Sequence, residues 1–234
     1  MKYIRSELKY YLNEMQSTGL QGIFSELMTL DRNSFSSKGY TVRSLYFDSF
    51  DDECLFKKQS GLYARKKIRL RTYGKENEIF KFEIKRKVGT QVRKDSIVVS
   101  ENFAKRVCGG EYEILLEHNN SILNEIYCDF VTKLYAPKVI VEYKRVAFIM
   151  DTSNVRITFD LNLSSMINDL DFFKASSVGM PVVIENKQIL EVKFDQYLPG
   201  YIKRVLSSIA AERMAISKYT LARRFHKINK WEDN

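Results

Sequence analysis

Histidine and cysteine are scarce in this chain, and each shortage argues against a class of function. The 234 residues contain two histidines, His118 and His226, so a histidine-based triad or a multi-histidine metal site is a poor expectation. The three cysteines, Cys54, Cys108 and Cys128, lie far apart, which argues against a disulfide framework or a structural zinc site and suits a reducing cytoplasm. Any catalysis should therefore rest on carboxylates, basic groups and metal ions.

Long apolar runs are also missing. No stretch approaches the roughly 20 apolar residues of a membrane-spanning helix, and residues 1–7 lack the apolar centre of a signal peptide. We therefore expect a soluble, cytoplasmic protein, which would associate with a membrane only through a separate membrane protein partner.

Positive charge, by contrast, is in excess. The chain has 38 Lys and Arg residues against 29 Asp and Glu residues, a net charge of +9. Such an excess indicates an anionic partner: nucleic acid, a membrane surface, or a phosphorylated small molecule or polymer. The length suits one large domain or two small ones, and we predict a single domain over residues 1–234, with the oligomeric state left open.

Two neighbouring segments, 65–73 and 80–87, alternate between charged and apolar residues. Because successive side chains of a strand point to opposite faces, these segments predict a hairpin with one charged face. That face carries Arg65, Lys67, Arg69, Arg71, Lys81, Glu83, Lys85 and Lys87. Several phosphates can bind such a face, and a carboxylate among cations can hold a divalent metal. A sheet with one face in water shows the same alternation, so this pattern alone leaves both interpretations open.

The remaining pattern predicts further strands and helices. Strands are expected at 2–11, 40–48, 92–99, 137–149, 154–163 and 182–195. Asn13, with Gln16 three positions on, predicts the N-cap of a helix that continues through Met28. Other helices are expected at 51–59, over parts of 101–134, and from about 201 to 226.

The charged faces of these strands combine both signs. Carboxylates and lysines two residues apart occur as Glu7 with Lys9, Glu83 with Lys85, and Glu191 with Lys193. An open sheet with its charged face in water is one interpretation, and a closed barrel with a polar lumen is the other. Mixed signs favour the lumen, where carboxylates offset the cations when no ligand is bound.

Five segments, taken in order, resemble the VTC domain, the catalytic domain of the vacuolar transporter chaperone polyphosphate polymerases. The segments are 43–48, 67–74, 82–87, 155–160 and 190–193. The resemblance runs from about residue 4 to about residue 222. It implies membership of the triphosphate tunnel metalloenzymes and hence an α+β fold: an antiparallel eight-stranded β-barrel tunnel with a polar lumen and helices packed outside.

The resemblance also implies roles for individual residues of the charged faces. Candidates for catalysis are Arg69, Arg71, Lys85 and Lys193. Candidates for substrate binding are Lys9, Lys67, Lys94, Arg145, Arg156 and Lys218. Candidates for metal binding are Glu191, Asp160, Glu83 and Glu7, and the implied cofactor is a divalent metal, manganese or magnesium.

A related group, the CYTH phosphohydrolases, begins with a Glu-x-Glu-x-Lys motif. This chain has Arg5 at the first position, followed by Glu7 and Lys9, so the first glutamate is lost. That difference favours the VTC branch over the hydrolase branch.

The resemblance implies a polyphosphate polymerase that transfers the γ-phosphate of ATP, or of another triphosphate, to a growing polyphosphate chain. A tunnel hydrolase acting on triphosphate or nucleoside triphosphates is the first alternative. A noncatalytic module that binds polyphosphate or inositol phosphates is the second. Nucleic acid is not expected as a partner, because the aromatic residues alternate as core residues and form no stacking platform.

Overall fold

The alternating segments form antiparallel strands, and the predicted α+β fold is confirmed. The computed structural model describes residues 6–32, 34, 39–74, 79–89, 91–167, 172–173, 180–181, 187–209, 211 and 213–229. Its strands are β1 Ser6–Leu12, β2 Thr29–Leu30, β3 Tyr40–Asp48, β4 Ala64–Tyr73, β5 Phe80–Val88, β6 Gln91–Val99, β7 Ala136–Met150, β8 Val155–Met166, β9 Met180–Pro181 and β10 Gln188–Phe194. Eight of these are longer than two residues, as the prediction required.

Helices follow the main strands. The α-helices are α1 Glu14–Leu27, α2 Glu53–Gln59, α3 Glu101–Cys108, α4 Ser121–Thr132, α5 Gly200–Ser207 and α6 Lys218–Asn229, and 3₁₀ helices span Tyr112–Leu116 and Thr152–Asn154. Asn13 caps α1 as predicted: its side chain accepts a hydrogen bond from the Gln16 backbone N–H, and the Gln16 side chain accepts one from the Asn13 backbone N–H. Among the described residues, no helix is long and apolar enough to cross a membrane.

The chain divides into two compact units. Unit 1 comprises Met1–Thr41, Tyr143–Ser164 and Pro181–Ser217, and unit 2 comprises Val42–Glu142, Ser165–Met180 and Lys218–Asn234. Strand β7 begins in unit 2 and ends in unit 1.

In unit 1 the strand order is β1-β10-β8-β7. Helices α1 and α5 bury their apolar faces on one side of these strands, where Phe24 and Ile202 are fully buried with Phe159. The register places Lys9 opposite Glu191, and Glu191 opposite Thr158. Since residues opposite each other share a face, the apolar side packs on helices and the other side collects charge.

In unit 2 the strand order is β7-β3-β4-β5-β6. Helices α3 and α4 cover the apolar face: the Phe130 ring lies 5.0 Å from that of Phe47, and the Phe103 ring lies 6.4 Å from that of Phe82. The register places Arg69 opposite Glu83. Charged residues therefore occupy the opposite face here as well.

The prediction of one helix from about 201 to 226 is wrong. Helix α5 ends at Ser207 and α6 begins at Lys218. Between them, the Met214 backbone N–H donates to the carbonyl of Lys9 at 2.9 Å, and Arg213 bridges to Tyr10. At Arg213 and Met214 the backbone therefore pairs with β1 and does not continue the helix.

Some sequence predictions fall on residues that the structure does not describe. Arg5, at the first position of the motif compared with the CYTH phosphohydrolases, lies outside the described residues, as does the 182–186 part of the strand predicted at 182–195. The remainder of that prediction corresponds to β10.

Candidate active site

Unit 2 gathers eight basic residues and one carboxylate on a single face of β4, β5 and β6, here called the basic face. Its members are Arg65, Lys67, Arg69, Arg71, Lys81, Glu83, Lys85, Lys87 and Lys94. Lys94 belongs to it because the β5–β6 register places it opposite Lys85. The face therefore combines residues of three adjacent strands.

Glu83 lies at the centre of the basic face and is 1% exposed. Its Oε2 accepts a hydrogen bond from Arg69 Nε at 2.6 Å and lies 3.9 Å from Arg71 Nη1, and its Oε1 pairs with Lys94. Burial alone would raise the pKa of Glu83, but these cations outweigh it and lower that pKa to about 2. The carboxylate is therefore ionised and holds the Arg69 guanidinium group through a hydrogen bond.

Tyr46, which the sequence analysis did not select, belongs to the same face. Arg69 Nη1 donates a hydrogen bond to the Tyr46 hydroxyl at 3.1 Å, and β3 places Tyr46 directly opposite Arg69. Burial alone would raise the pKa of Tyr46, but Arg69, Arg71 and Lys67 lower it to about 8. The depressed pKa reports a strong positive potential, the property that would attract phosphate.

This potential predicts an early tyrosine titration. Tyr46 should deprotonate near pH 8, whereas an unperturbed tyrosine does so near pH 10, because the surrounding cations stabilise the phenolate. Ultraviolet absorbance of tyrosinate during a pH titration measures the step, and Tyr46→Phe should remove it. The step should move to higher pH in Arg69→Ala. An unchanged titration in both variants would contradict the placement of these cations around Tyr46.

The start of helix α6 adjoins the basic face through Tyr219. The Lys67 ammonium lies 5.1 Å from the centre of the Tyr219 ring, and the Tyr46 and Tyr219 rings are 5.2 Å apart. The Tyr219 hydroxyl donates to Asp48 at the end of β3. Lys218, the first residue of α6, is half-buried beside this contact.

Unit 1 carries a second charged face, here called the mixed face because it combines four cations with three carboxylates. Its members are Glu7, Lys9, Arg145, Arg156, Thr158, Asp160, Glu191 and Lys193. Glu191 is 5% exposed, and its Oε1 lies 3.0 Å from Lys9 and its Oε2 lies 3.0 Å from Lys193. Arg145 Nη2 lies 3.9 Å from the same Oε2.

Three oxygen atoms surround one cation on the mixed face. The Lys9 ammonium lies 2.9 Å from Glu7 Oε1, 3.0 Å from Glu191 Oε1 and 3.2 Å from the carbonyl oxygen of Ile216. Carboxylate and carbonyl oxygens are the ligands that magnesium and manganese prefer. In the described part of the chain, no group of three or more His, Cys, Asp or Glu residues could hold a metal unaided. Two carboxylates nevertheless suit a magnesium ion that takes further ligands from phosphate and water.

Asp160 and Arg145 bind each other. Arg145 Nε donates to Asp160 Oδ1 at 2.6 Å and Arg145 Nη2 donates to Oδ2 at 2.8 Å, so the pair is bidentate. Asp160 is fully buried. Burial alone would lower the pKa of Arg145, but Asp160 outweighs it and raises that pKa well above its usual value. Both oxygens of this predicted metal ligand are thus engaged by an arginine.

Arg156 has partners that the sequence analysis also missed. Its Nη1 pairs with Asp31, which is 5% exposed, and its Nη2 donates to the Tyr40 hydroxyl at 3.5 Å. Asp31 follows β2 and Tyr40 begins β3, both far from Arg156 in sequence, so no sequence spacing indicated them.

Tyr46, by contrast, could have been selected from the alternation along β3. That alternation places it on the same face as Ser44, whose hydroxyl accepts a hydrogen bond from Arg71 Nε at 2.9 Å.

Apart from Lys218 at the start of α6, the predicted site residues thus fall into two groups. Arg69, Arg71, Lys67, Lys85, Lys94 and Glu83 share the basic face, and Lys9, Glu7, Arg145, Arg156, Asp160, Glu191 and Lys193 share the mixed face. The closed barrel expected from the sequence implies that Arg69, Lys85, Arg156 and Lys193 converge on one cavity, and this convergence stays a prediction.

A family model for the VTC domain matches residues 4–226, which is nearly the whole chain. The chain belongs to the VTC domain family. The predicted membership is confirmed, and the motifs quoted above lie within the matched range. No curated protein matches the sequence.

Solved structures share the fold of this VTC domain. One is a protein from Hippeastrum, named as a candidate adenylyl cyclase with a dominant triphosphatase activity: the TM-score is 0.56 at 12% identity, covering 93% of this chain and 94% of that chain. Another, named as a candidate adenylate cyclase, is from Bacillus halodurans, with a TM-score of 0.54 at 15% identity and coverage of 92% and 93%. At these identities the likeness establishes the fold of the VTC domain.

Proposed function

We propose that this VTC domain is a polyphosphate polymerase, which transfers the γ-phosphate of ATP or another triphosphate to a growing polyphosphate chain. The observation that carries the proposal is the basic face: eight basic residues share one side of three strands with a single ionised carboxylate, Glu83, which Arg69, Arg71 and Lys94 contact. Membership of the VTC family supports the choice of a phosphate polymer as product.

Phosphoryl transfer suits such a face. The transferred group needs little covalent chemistry from the protein, and catalysis comes from aligning donor and acceptor and from stabilising charge on the phosphoryl oxygens. The Arg69 guanidinium group is already oriented by Glu83 and that of Arg71 by Ser44, so little reorganisation is needed when phosphate arrives. Lys67 and Lys85, opposite each other in the register, supply further charge for the neighbouring phosphates.

A divalent cation would be held by Glu191 and Glu7, whose oxygens already share one ammonium. Bound there, the metal would neutralise charge on phosphate oxygens. Lys9, the cation that those carboxylates now share, would then be available to bind a phosphate oxygen. Asp160 would serve to orient Arg145 and is not proposed as a ligand.

This arrangement predicts a selective effect of Glu191→Gln. The substitution should raise the manganese or magnesium concentration needed for half-maximal activity, since it removes one carboxylate charge from the proposed metal site. Tripolyphosphate binding without metal should be kept or strengthened, because Lys9 and Lys193 lose a competing anion. Activity across a metal titration, alongside calorimetric binding, measures both. An unchanged metal requirement would contradict the assignment of Glu191.

Hydrolysis of triphosphate is the second candidate, with water as the acceptor. It is favoured by the fold shared with the Hippeastrum protein, which is named for a dominant triphosphatase activity. The basic face suits both reactions, because they share the transferred group and differ in the acceptor.

A product assay tests the proposal. Purified protein is incubated with ATP and manganese or magnesium, and the products are resolved into long-chain polyphosphate and orthophosphate. Polyphosphate with release of ADP is expected. Orthophosphate alone would replace the polymerase with a hydrolase, and tight polyphosphate binding without ATP consumption would replace both with a binding module.

We propose that the protein is located in the cytoplasm. All three cysteines are free thiols, with Cys54 buried, as suits a reducing compartment. Association with a separate membrane protein remains part of the proposal and would be tested by fractionating cells and asking whether the chain sediments with membranes.

A further inference from the structure

One buried polar group on the mixed face has no hydrogen-bond partner within the part of the chain that the structure describes. Thr158, in the middle of β8, is 1% exposed, and its hydroxyl meets neither a donor nor an acceptor there. Leaving a buried hydroxyl without a partner is unfavourable, and folded proteins keep few such groups. When the group lies in a candidate site, a ligand that completes its hydrogen bonding is the natural explanation.

The two charged neighbours of Thr158 on its face of β8, unlike Thr158 itself, have ion-pair partners. Asp160, two residues along the same face, has both oxygens bound by Arg145. Arg156, two residues back, pairs with Asp31. Neither neighbour therefore turns to the hydroxyl between them.

The strand register places Thr158 beside the proposed ligand site. Thr158 lies directly opposite Glu191 on β10, and side chains opposite each other in an antiparallel sheet have Cβ atoms about 4.5–5.5 Å apart. Glu191 in turn contacts Lys9 and Lys193. A phosphate held by these lysines would lie within reach of a hydroxyl hydrogen from Thr158.

We propose that the Thr158 hydroxyl donates a hydrogen bond to a phosphate oxygen of the bound triphosphate chain. The inference rests on the proposed function and adds to it a neutral, directional donor among the ion pairs. A hydroxyl suits this place because it binds an anion without adding charge to a face on which four cations already meet three carboxylates.

Substitution by an isosteric apolar residue tests the inference. In Thr158→Val, the melting temperature without ligand should stay the same or rise, because no hydrogen bond within the chain is lost. Tripolyphosphate should bind about tenfold more weakly or worse, as expected for loss of a hydrogen bond to a charged group. Thr158→Ser keeps the hydroxyl and should bind within about threefold of wild type. Thr158→Ala serves as a second apolar variant if valine prevents folding.

Binding is measured by calorimetry in two arms, one with a chelator and one with manganese. Weaker binding in both arms supports the phosphate contact. Weaker binding only with manganese would overturn it and assign the hydroxyl to a metal-bound water. Wild-type affinity in both arms, or a large fall in melting temperature without ligand, would overturn the role of Thr158 while the proposed function stands. If wild type itself binds no tripolyphosphate, the proposed function fails together with the inference.

Discussion

Replacing Arg69 with alanine is expected to lower the rate of phosphoryl transfer by about 100-fold or more. Arg69 is held by Glu83 at 2.6 Å and by the Tyr46 hydroxyl at 3.1 Å, so its guanidinium group is oriented before substrate binds. A donor fixed in advance stabilises the charge of a transition state without reorganising, and its loss removes a few kcal/mol of that stabilisation. Steady-state turnover of ATP in the presence of metal measures the effect.

Arg93→Ala is the matched control for this prediction. Arg93 lies on β6 and is mostly exposed, with a 75% accessible side chain, so its removal changes the net charge equally without touching the basic face. Activity within about twofold of wild type is expected for it. If the two variants lose activity equally, the effect comes from net charge and the placement of Arg69 in the site is wrong.

Replacing Asp160 with alanine is expected to lower the free energy of unfolding by about 3–5 kcal/mol. Asp160 is fully buried and binds Arg145 through both oxygens, so its removal leaves a buried guanidinium group without its carboxylate. A buried charge without a partner is strongly destabilising. Urea denaturation followed by circular dichroism measures the change.

Two further variants make this prediction specific. Asp151→Ala removes an exposed carboxylate from the turn before β8 and should change the free energy of unfolding by less than about 0.5 kcal/mol. The double variant Arg145→Met with Asp160→Leu should regain part of the loss, since apolar groups of similar volume can replace a buried ion pair. An Asp160→Ala variant as stable as Asp151→Ala would show that the pair contributes nothing.

Local alternation made much of the sheet predictable. The hairpin of β4 and β5 has Lys67, Arg69 and Arg71 on one face because side chains alternate along any strand, whatever surrounds it. The capping box of α1 was equally local, since Asn13 and Gln16 satisfy each other within one turn.

The ion-pair partners of individual carboxylates were less predictable. The cross-strand partners of Glu83 could not be inferred from its own strand: its Oε2 accepts from Arg69, directly opposite on β4, and its Oε1 pairs with Lys94 on β6. Residues two apart on a strand are separated by about 6.6 Å, whereas opposite residues are closer, and Arg69 therefore has the shorter path to the carboxylate. Glu191 and Lys193 did meet as expected, at 3.0 Å.

Composition, motif order and alternation are properties of the chain, and they were enough to predict the family, the antiparallel strands, the sign of the charge and the faces on which that charge lies. The folded chain was needed to show that Asp160 binds Arg145, that Tyr46 lies beside Arg69, and that the chain between α5 and α6 pairs with β1. Each of these contacts depends on register and burial, which bring together residues that are distant in sequence. A local sequence pattern does not predict which distant residues will meet.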